Sequence, residues 1–431
     1  MNIDSLLNPY QRFGINLGLK RIEQLLADLG NPHHRVSIIH VAGTNGKGSV
    51  CAYLSAVLTE AGYRVGRYTS PRLVDWTECI CVNEQPIAAQ DLEQILLQIK
   101  ALIPEDAEDS PTQFEVITAA AWLYFAQQQV DIAVIEVGLG GRLDSTNVCD
   151  NPLVSIITSL SREHWQQLGP TLADIAGEKA GILKLDCPAV VGPLPLEAKQ
   201  VIALRVEQLN CPTVWVKPAT ELEVTPAKYN FNEKLIPRWA CYQGIEYPLP
   251  LLGDVQLINS AIAIAALKIL QQKGWAITQE AIVTGMAKTS WPGRLQWTSW
   301  HNHPILIDGA HNLASAQALR RYVDTFNTPI TWVMGILATK DHPKIFQALL
   351  KPNDRLYLVP VPDHRSAEPE KLQAIAQDIE PQLTDCRTYP QLELGLQAAT
   401  SNYLDSQGLI VLCGSLYLIG HFFKTMARSR F

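Results

Sequence analysis

The chain has 431 residues, 47% hydrophobic and 18% charged, with 35 Lys and Arg against 42 Asp and Glu for a net charge of −7. This composition excludes a disordered chain, and its mild acidity leaves no electrostatic footprint for nucleic acid. At about 100–200 residues per domain, the length fits roughly two to four domains.

Leu17 to Leu29 carries apolar residues at three- and four-residue spacing (Leu19, Ile22, Leu25, Leu26, Leu29), which predicts a helix ended by Gly30-Asn31-Pro32. Val36 to Val41 reads as a buried strand, followed by a glycine-rich turn and an amphipathic helix from Ser49 to Ala61. Further buried strands are expected at Val65–Thr69, Ile132–Val137, Val154–Thr158 and Ala189–Val191, with helices at Phe114–Gln127 and Thr171–Ile182. Strands alternating with helices imply a mostly parallel sheet covered on both faces. Thr213 to Pro250 has short β-like runs broken by Pro and Gly, which predicts antiparallel hairpins at the sheet edge, and Gln256–Gln272 reads as a helix. Around Trp291-Pro-Gly-Arg294 the pattern resets. A second alternation follows through Ile305–Ile307, Thr331–Met334, Arg355–Val361 and Leu409–Leu412, so a smaller α/β domain is expected beyond a boundary near 293–300.

The nine cysteines are scattered, include no CxxC pair and mostly sit in apolar runs. They read as reduced core thiols, with Cys79 and Cys81 alternating along a strand. The N-terminus lacks the basic and apolar regions of a signal peptide. The longest apolar stretch, Ala261 to Leu270, is interrupted by Lys268 and reads as too short to span a bilayer. The expectation is a soluble, cytoplasmic protein without membrane or nucleic-acid partners.

The strongest chemical signal is Gly43-Thr44-Asn45-Gly46-Lys47-Gly48-Ser49, between a strand and a helix. Glycines let successive N–H groups curl around phosphate oxygens, the helix N-terminus adds positive potential, and Lys47 adds a point charge. The P-loop fit is imperfect: Val41 holds the first glycine position, and Gly48 stands where the metal-binding hydroxyl belongs. A second signal, Glu136-Val-Gly-Leu-Gly-Gly-Arg-Leu-Asp-Ser-Thr-Asn147, begins at a strand end, where open α/β sheets bind ligands. Glu136 suits Mg²⁺ or a helix cap. His164 follows another strand end and reads as a metal ligand or a structural histidine. Lys179 reads as a snorkelling surface lysine or a buried one with altered charge. Arg294 lies at the domain junction and suits phosphate, and Asp308-Gly-Ala-His-Asn312 follows a strand in the second domain.

The combination GTNGKGS, TSP, EVGLGGRLDSTN, EKAGILK, WPGRLQ and DGAHN resembles the folylpolyglutamate synthase family, whose members often also act as dihydrofolate synthases. This family is a branch of the Mur-ligase-like ATP-dependent amide ligases, and the resemblance runs from about Phe13 to the C-terminus. It implies a P-loop-type, mostly parallel sheet with flanking helices over residues 1–293 and a smaller Rossmann-like α/β domain over residues 294–431. It further implies that Gly43 to Ser49 cradles the ATP triphosphate, with Gln256, Asn259, Arg294 and Asp308 at the nucleotide. Ser70, Glu136 and His164 match positions that hold two Mg²⁺ ions, Ser70 supplying the hydroxyl that Gly48 cannot. Lys179 matches a lysine carbamylated in the family. His311, Lys47, Arg294 and Lys179 match residues of the reacting centre, and Thr112, Gln113, Phe114, Glu115, Asp144, Ser145 and Thr146 match segments contacting the pterin substrate. Asn16 to Lys20 lies where bifunctional members bind dihydropteroate.

The implied reaction joins L-glutamate to a reduced folate or dihydropteroate through an acyl phosphate, with closure of two domains around Trp291–Arg294 and a monomer as the working unit. Reliance on a monovalent cation is left open. The sequence departs from the family's pattern at Arg72 to Glu78, Glu163, Val255 and Leu313, none of them an implied phosphate or metal ligand. Two alternatives are a Mur-type ligase acting on another carboxylate and a non-catalytic ATP-binding switch. Only 42 residues precede Gly43, too few for the separate nucleotide-sugar domain of the former.

Overall fold

Continuous apolar runs such as Ile38–Ala42 and Ile132–Glu136 become strands buried at every residue, as a sheet covered on both faces requires. The computed structural model of the chain describes residues 3–11, 14–104, 109–223, 238–362, 365–401 and 408–428. Among these, the residues within Met1–Ala227, Pro237–Pro250 and Gln256–Ser290 form one compact unit, and those within Leu251–Val255 and Trp291–Phe431 form another.

The first unit runs α1 (Ile3–Gln11), α2 (Lys20–Asp28), β1 (Ile38–Ala42), α3 (Lys47–Glu60), β2 (Val65–Tyr68), β3 (Ile80–Val82), β4 (Gln85–Pro86), α4 (Ala89–Lys100) and α5 (Gln113–Gln127). It continues with β5 (Ile132–Glu136), β6 (Val154–Ile157), α6 (Trp165–Leu168), α7 (Leu172–Ala180), β7 (Ala189–Val191), α8 (Leu196–Gln208) and β8 (Thr213–Trp215). Then come β9 (Thr220–Leu222), β10 (Arg238–Tyr242), β11 (Ile245–Leu249), α9 (Val255–Gln272) and α10 (Gln279–Lys288). The main sheet has eight strands in the order β4-β3-β2-β5-β1-β6-β7-β8, parallel from β2 to β8 with β3 and β4 antiparallel at one edge. Leu7, Ile22, Leu26, Leu96, Trp122 and Phe125 build one core with Ile38 and Ile135. Ala176, Ile182 and Ile202 build another with Ile157 and Val191. Burying each Leu, Ile, Val or Phe side chain among them contributes about 1.5–3 kcal/mol.

Three expectations need correction. The helix after the glycine-rich turn is not amphipathic: every residue from Ser49 to Leu58 is buried, because α3 is covered by the sheet and by α10. The hairpins of Thr213–Pro250 do not extend the main sheet. Thr213–Trp215 joins it as a parallel edge strand, while β9, β10 and β11 form a separate antiparallel sheet; residues 224–237 lie outside the described set. Finally, the stretch Ala261–Leu270 lies within a longer helix: α9, Val255–Gln272, is long and apolar enough, by length and composition, to cross a membrane, yet 67% of that window is buried inside the protein.

The second unit runs β12 (Gln296–Trp300), β13 (His303–Ile307), α11 (Leu313–Asp324), β14 (Ile330–Met334), α12 (His342–Leu349), β15 (Arg355–Leu358), α13 (Pro369–Ile379), β16 (Asp385–Thr388), α14 (Leu392–Ser401), β17 (Leu409–Cys413) and α15 (Leu416–Arg428). Its six-stranded sheet has the order β12-β13-β17-β14-β15-β16, with only β12 antiparallel. The β12–β13 turn places His301 and Asn302 both at positive φ, the backbone a two-residue hairpin favours. The edge strands β12 and β16 are largely half-buried, so no apolar run announces them.

Candidate functional site

Register sets the first site. Val41 of β1 lies opposite Glu136 of β5, Ala42 lies opposite Ile157 of β6, and Tyr68 of β2 lies opposite Ile135. The carboxyl ends of four adjacent parallel strands therefore emit their loops side by side, the place where open α/β sheets bind ligands.

The loop from Gly43 to Gly46 is stitched to the loop after β6. Thr44 N–H donates to the Ser159 carbonyl (2.7 Å), and the Thr158 and Ser159 hydroxyls donate to the Asn45 carbonyl at 2.7 and 2.9 Å. Ser161 N–H donates to Thr44 Oγ1 (3.1 Å). Glycine is required twice. A Cβ on Gly43 would stand 1.9 Å from Thr158 Oγ1, and one on Gly46, at φ +87°, would stand 2.4 Å from Asn259 Oδ1. Asn259 donates to Gln256 Oε1 (3.1 Å), and Gln256 donates to Ser49 Oγ (3.4 Å), so both α9 residues are buried against this loop and its helix. Lys47, the first residue of α3, directs Nζ to the Thr44 carbonyl (3.3 Å) and lies 3.8 Å from Glu136 Oε1. Gly48 lies inside α3, in its first turn.

Glu136 is 4% exposed and accepts Ser70 N–H on Oε2 (3.3 Å). Lys179 is buried, and its Nζ donates to the Gly43 carbonyl (2.9 Å). The snorkelling alternative is thereby removed. Burial first, then the neighbouring Lys47, pushes its pKa down from 10.5 to about 7, against the pull of Glu163 and Asp144. His164, at φ +51°, is exposed, and its Nε2 lies 4.0 Å from Glu163. The structure thus brings Lys47, Ser70, Glu136 and Lys179 around one loop, with His164 on the loop following β6. Among the described residues no group of three His, Cys, Asp or Glu converges as a metal site.

Two segments on the same unit frame a neighbouring region. Thr112 caps α5: its Oγ1 accepts Glu115 N–H (3.2 Å), while Thr112 N–H donates to Glu115 Oε2 (2.6 Å). Gln113 donates to the Leu7 carbonyl, and Phe114 packs where a Cβ on Gly138 would stand. Asp144 is buried and accepts Leu139 N–H (2.7 Å), Thr146 N–H (3.0 Å) and the Thr146 hydroxyl (2.6 Å). Burial raises its pKa, and those hydrogen bonds hold it down in part. Ser145 is buried beside them. Gly18 N–H donates to the Leu143 carbonyl (3.3 Å), which ties the Asn16–Lys20 segment to this loop.

The segment that departs from the family pattern is tied down as well. Asp4 of α1 pairs with Arg72 (2.9 Å) and accepts Trp76 Nε1–H (3.0 Å), while Glu78 accepts backbone N–H groups of Leu73, Val74 and Asp75.

In the second unit Asp308 is buried at the end of β13. Its carboxylate accepts Leu295 N–H and Ala310 N–H, both at 2.8 Å. Burial raises its pKa, opposed first by the Arg294 guanidinium. Arg294 Nη1 donates to the Gly293 carbonyl (3.3 Å). His311 Nδ1 lies 2.7 Å from the Gly309 carbonyl, and Asn312 caps α11. Arg294, Asp308 and His311 are thus one local cluster.

Two residues escaped the sequence reading. His40 sits in the middle of β1, fully buried; the signal was a lone polar residue inside Ile-Ile-His-Val-Ala. Arg21 of α2 donates to Glu115 (3.2 Å) and to the Asn16 carbonyl (2.6 Å), and no local motif marks it.

The family model of the Mur ligase middle domain matches residues 41–267, and that of the dihydrofolate synthetase C-terminal domain matches residues 294–425. The dihydrofolate synthetase of Saccharomyces cerevisiae is 36% identical over 430 residues, covering 95% of this chain and 98% of its own. The dihydrofolate synthase/folylpolyglutamate synthase of Bacillus subtilis is 38% identical over 348 residues, covering 78% of this chain and 80% of its own. Among solved structures, Mycobacterium tuberculosis folylpolyglutamate synthase complexed with ADP and AMPPCP matches at a TM-score of 0.84 and 30% identity, over 97% of each chain.

Proposed function

The chain belongs to the dihydrofolate synthase/folylpolyglutamate synthase family of ATP-dependent ligases, and we propose that it is bifunctional, joining L-glutamate both to dihydropteroate and to reduced folates. It is an ADP-forming ligase that adds L-glutamate to a folate carboxylate. The observation that carries the chemistry is the juxtaposition of Lys47, Glu136 and Ser70 at the carboxyl ends of adjacent strands. Support for both acceptors is the hydrogen-bonded meeting of Asn16–Lys20 with the Leu143–Thr146 loop. It is joined by the bifunctional name of the Bacillus relative.

A carboxylate is a poor electrophile, so it must first be activated. Its oxygen attacks the γ-phosphorus of ATP, giving an acyl phosphate and ADP. The glutamate amine attacks the acyl carbon, a tetrahedral intermediate forms, and its collapse expels phosphate. The N–H groups of Gly43–Ser49 and the Lys47 ammonium stabilise charge building on the phosphoryl oxygens. A buried carboxylate beside an open strand-end loop fits Mg²⁺, which takes one or two carboxylates plus phosphate oxygens. Glu136 and Ser70 would hold it, with His164 and a carbamylated Lys179 completing a two-ion site. Such ions neutralise phosphate charge. The Lys179 amine is suited to carbamylation because a pKa near 7 leaves much of it neutral. Arg294, Asp308 and His311 are proposed as nucleotide- and phosphate-facing groups of a ligase domain spanning residues 294–431, and residues 1–293 as the ATPase domain. A monomeric, cytoplasmic enzyme is the accompanying proposal.

The test is ADP release by purified protein with ATP, Mg²⁺ and L-glutamate, with dihydropteroate and tetrahydrofolate supplied separately. Turnover with both supports the bifunctional reading. Turnover with tetrahydrofolate alone restricts the enzyme to chain extension, and turnover with dihydropteroate alone restricts it to making dihydrofolate.

A further inference from the structure

His40 is fully buried at the centre of β1, two positions before the residue that opens the phosphate loop's approach, Ala42. Its Nε2 lies 2.8 Å from Thr146 Oγ1, and its Nδ1 is buried without a hydrogen-bond partner. Thr146 Oγ1 in turn donates to Asp144 Oδ1 (2.6 Å). A threonine hydroxyl has one proton. Spent on the carboxylate, it leaves the oxygen only lone pairs to offer, so the proton between His40 and Thr146 must sit on Nε2. That assignment leaves Nδ1 as a bare lone pair, and an unpaired buried acceptor is more readily tolerated than an unpaired N–H. The imidazole is neutral: burial, then Lys184, holds its pKa down at about 3.

The relay ends on a segment with a function. Asp144 gathers Leu139 N–H and Thr146 N–H, so one carboxylate shapes both ends of the glycine-rich loop. We propose that His40, as the Nε2–H tautomer, is a positioning residue that orients Thr146 and Asp144 and thereby sets the acceptor-binding geometry of the Asp144–Thr146 segment. This rests on the reading above that the segment faces the pterin substrate. It adds that a side chain on the nucleotide-loop strand sets affinity for the pterin acceptor.

Replacing His40 by Leu removes the donor and leaves Thr146 Oγ1 without it. Loss of one buried hydrogen bond corresponds to about a tenfold effect. The expected result is that His40→Leu raises KM for the pterin acceptor about tenfold, leaving KM for ATP and kcat within about threefold. His40→Gln, whose amide N–H can reach the same oxygen, should recover most of that loss. The independent readout is the ring itself: long-range ¹⁵N–¹H spectra of ¹⁵N-histidine-labelled full-length protein, assigned by comparison with His40→Gln, should show His40 as the Nε2–H tautomer from pH 5 to 9. An Nδ1–H tautomer, or a ring that titrates in that range, overturns the proposal whether or not the ligase reading stands. So does His40→Leu with lower thermal stability but an unchanged acceptor KM, which would confine His40 to a packing role. If neither acceptor is turned over by wild-type protein, the reading beneath the proposal fails, and the tautomer still reports on the relay alone.

Discussion

Lys179 Nζ donates a 2.9 Å hydrogen bond to the carbonyl oxygen of Gly43, joining the end of α7 to the start of the glycine-rich loop from inside the protein. The pKa of that amine lies near 7 in the folded chain against an ordinary 10.5. Between those values the unfolded chain binds the proton and the folded chain does not, so stability rises with pH across the window. Below it both states are protonated and the buried charge exerts its full penalty. Metal-free, bicarbonate-free protein should therefore gain stability from about pH 7 towards 10.5 relative to Lys179→Met, read as urea midpoints. Parallel curves for the two proteins would show that Lys179 carries no such shift.

Lys47 is the one cation built into the helix start of the loop, and its side chain is 16% exposed. Truncating it removes the proposed phosphate partner. Lys47→Ala should lower ADP formation by about 10²-fold or more and, because it removes a cation 3.8 Å from the buried Glu136, should also cost about 1–3 kcal/mol of folding stability. Paired measurements of single-turnover ADP release and urea unfolding separate the two effects. A folded variant with wild-type turnover would remove Lys47 from the mechanism.

Strand ends and their motifs were legible because apolar runs and glycine spacing are local properties: the β1–loop–α3 unit and Glu136 at the end of β5 could be read without the fold. Lys179 was not decidable, since burial depends on the Gly43 carbonyl 136 positions away. The α3 helix was misread as amphipathic because helical periodicity cannot report a second covering layer, here α10. Strand β8 was misread because its pairing with β7 is a tertiary fact that Pro and Gly punctuation does not encode. Arg21 and His40 matter through contacts 94 and 106 positions distant, which no window detects.

Gly285 of α10 crosses α3 so closely that an added Cβ would stand 2.4 Å from Val57 Cα. Backbone cannot yield as a side-chain tip can, so Gly285→Ala should force the helices apart at a cost of about 1–3 kcal/mol. The site residues lie on the far end of α3, so KM for ATP should stay near wild type. Thermal unfolding with nucleotide titration checks both halves, and unchanged stability would mean the packing is looser than this contact requires.

Asp308 uses one carboxylate to accept two backbone N–H groups, from Leu295 and Ala310. An amide has one acceptor oxygen, so Asp308→Asn must turn an N–H₂ towards one of those donors. It should cost about 1–3 kcal/mol of stability, and turnover should fall because the Arg294 turn is anchored through the same carboxylate. Denaturant unfolding beside steady-state kinetics gives the answer; an equally stable variant would mean that the turn does not depend on both bonds.

Arg21 pairs its guanidinium with the carboxylate of Glu115, which is 1% exposed, at 3.2 Å. The same guanidinium holds the Asn16 carbonyl and Asp109, so it joins two of the segments proposed to face the pterin. Arg21→Met strands a buried charge and should cost about 3–5 kcal/mol. Adding Glu115→Gln removes that charge, so the double variant should recover much of the stability. It should not recover a normal acceptor KM, because the Asn16 tether stays lost. Urea unfolding of the single and double variants isolates the charge effect, and acceptor KM isolates the tether. If the double variant regains both, Arg21 acts only by neutralising Glu115.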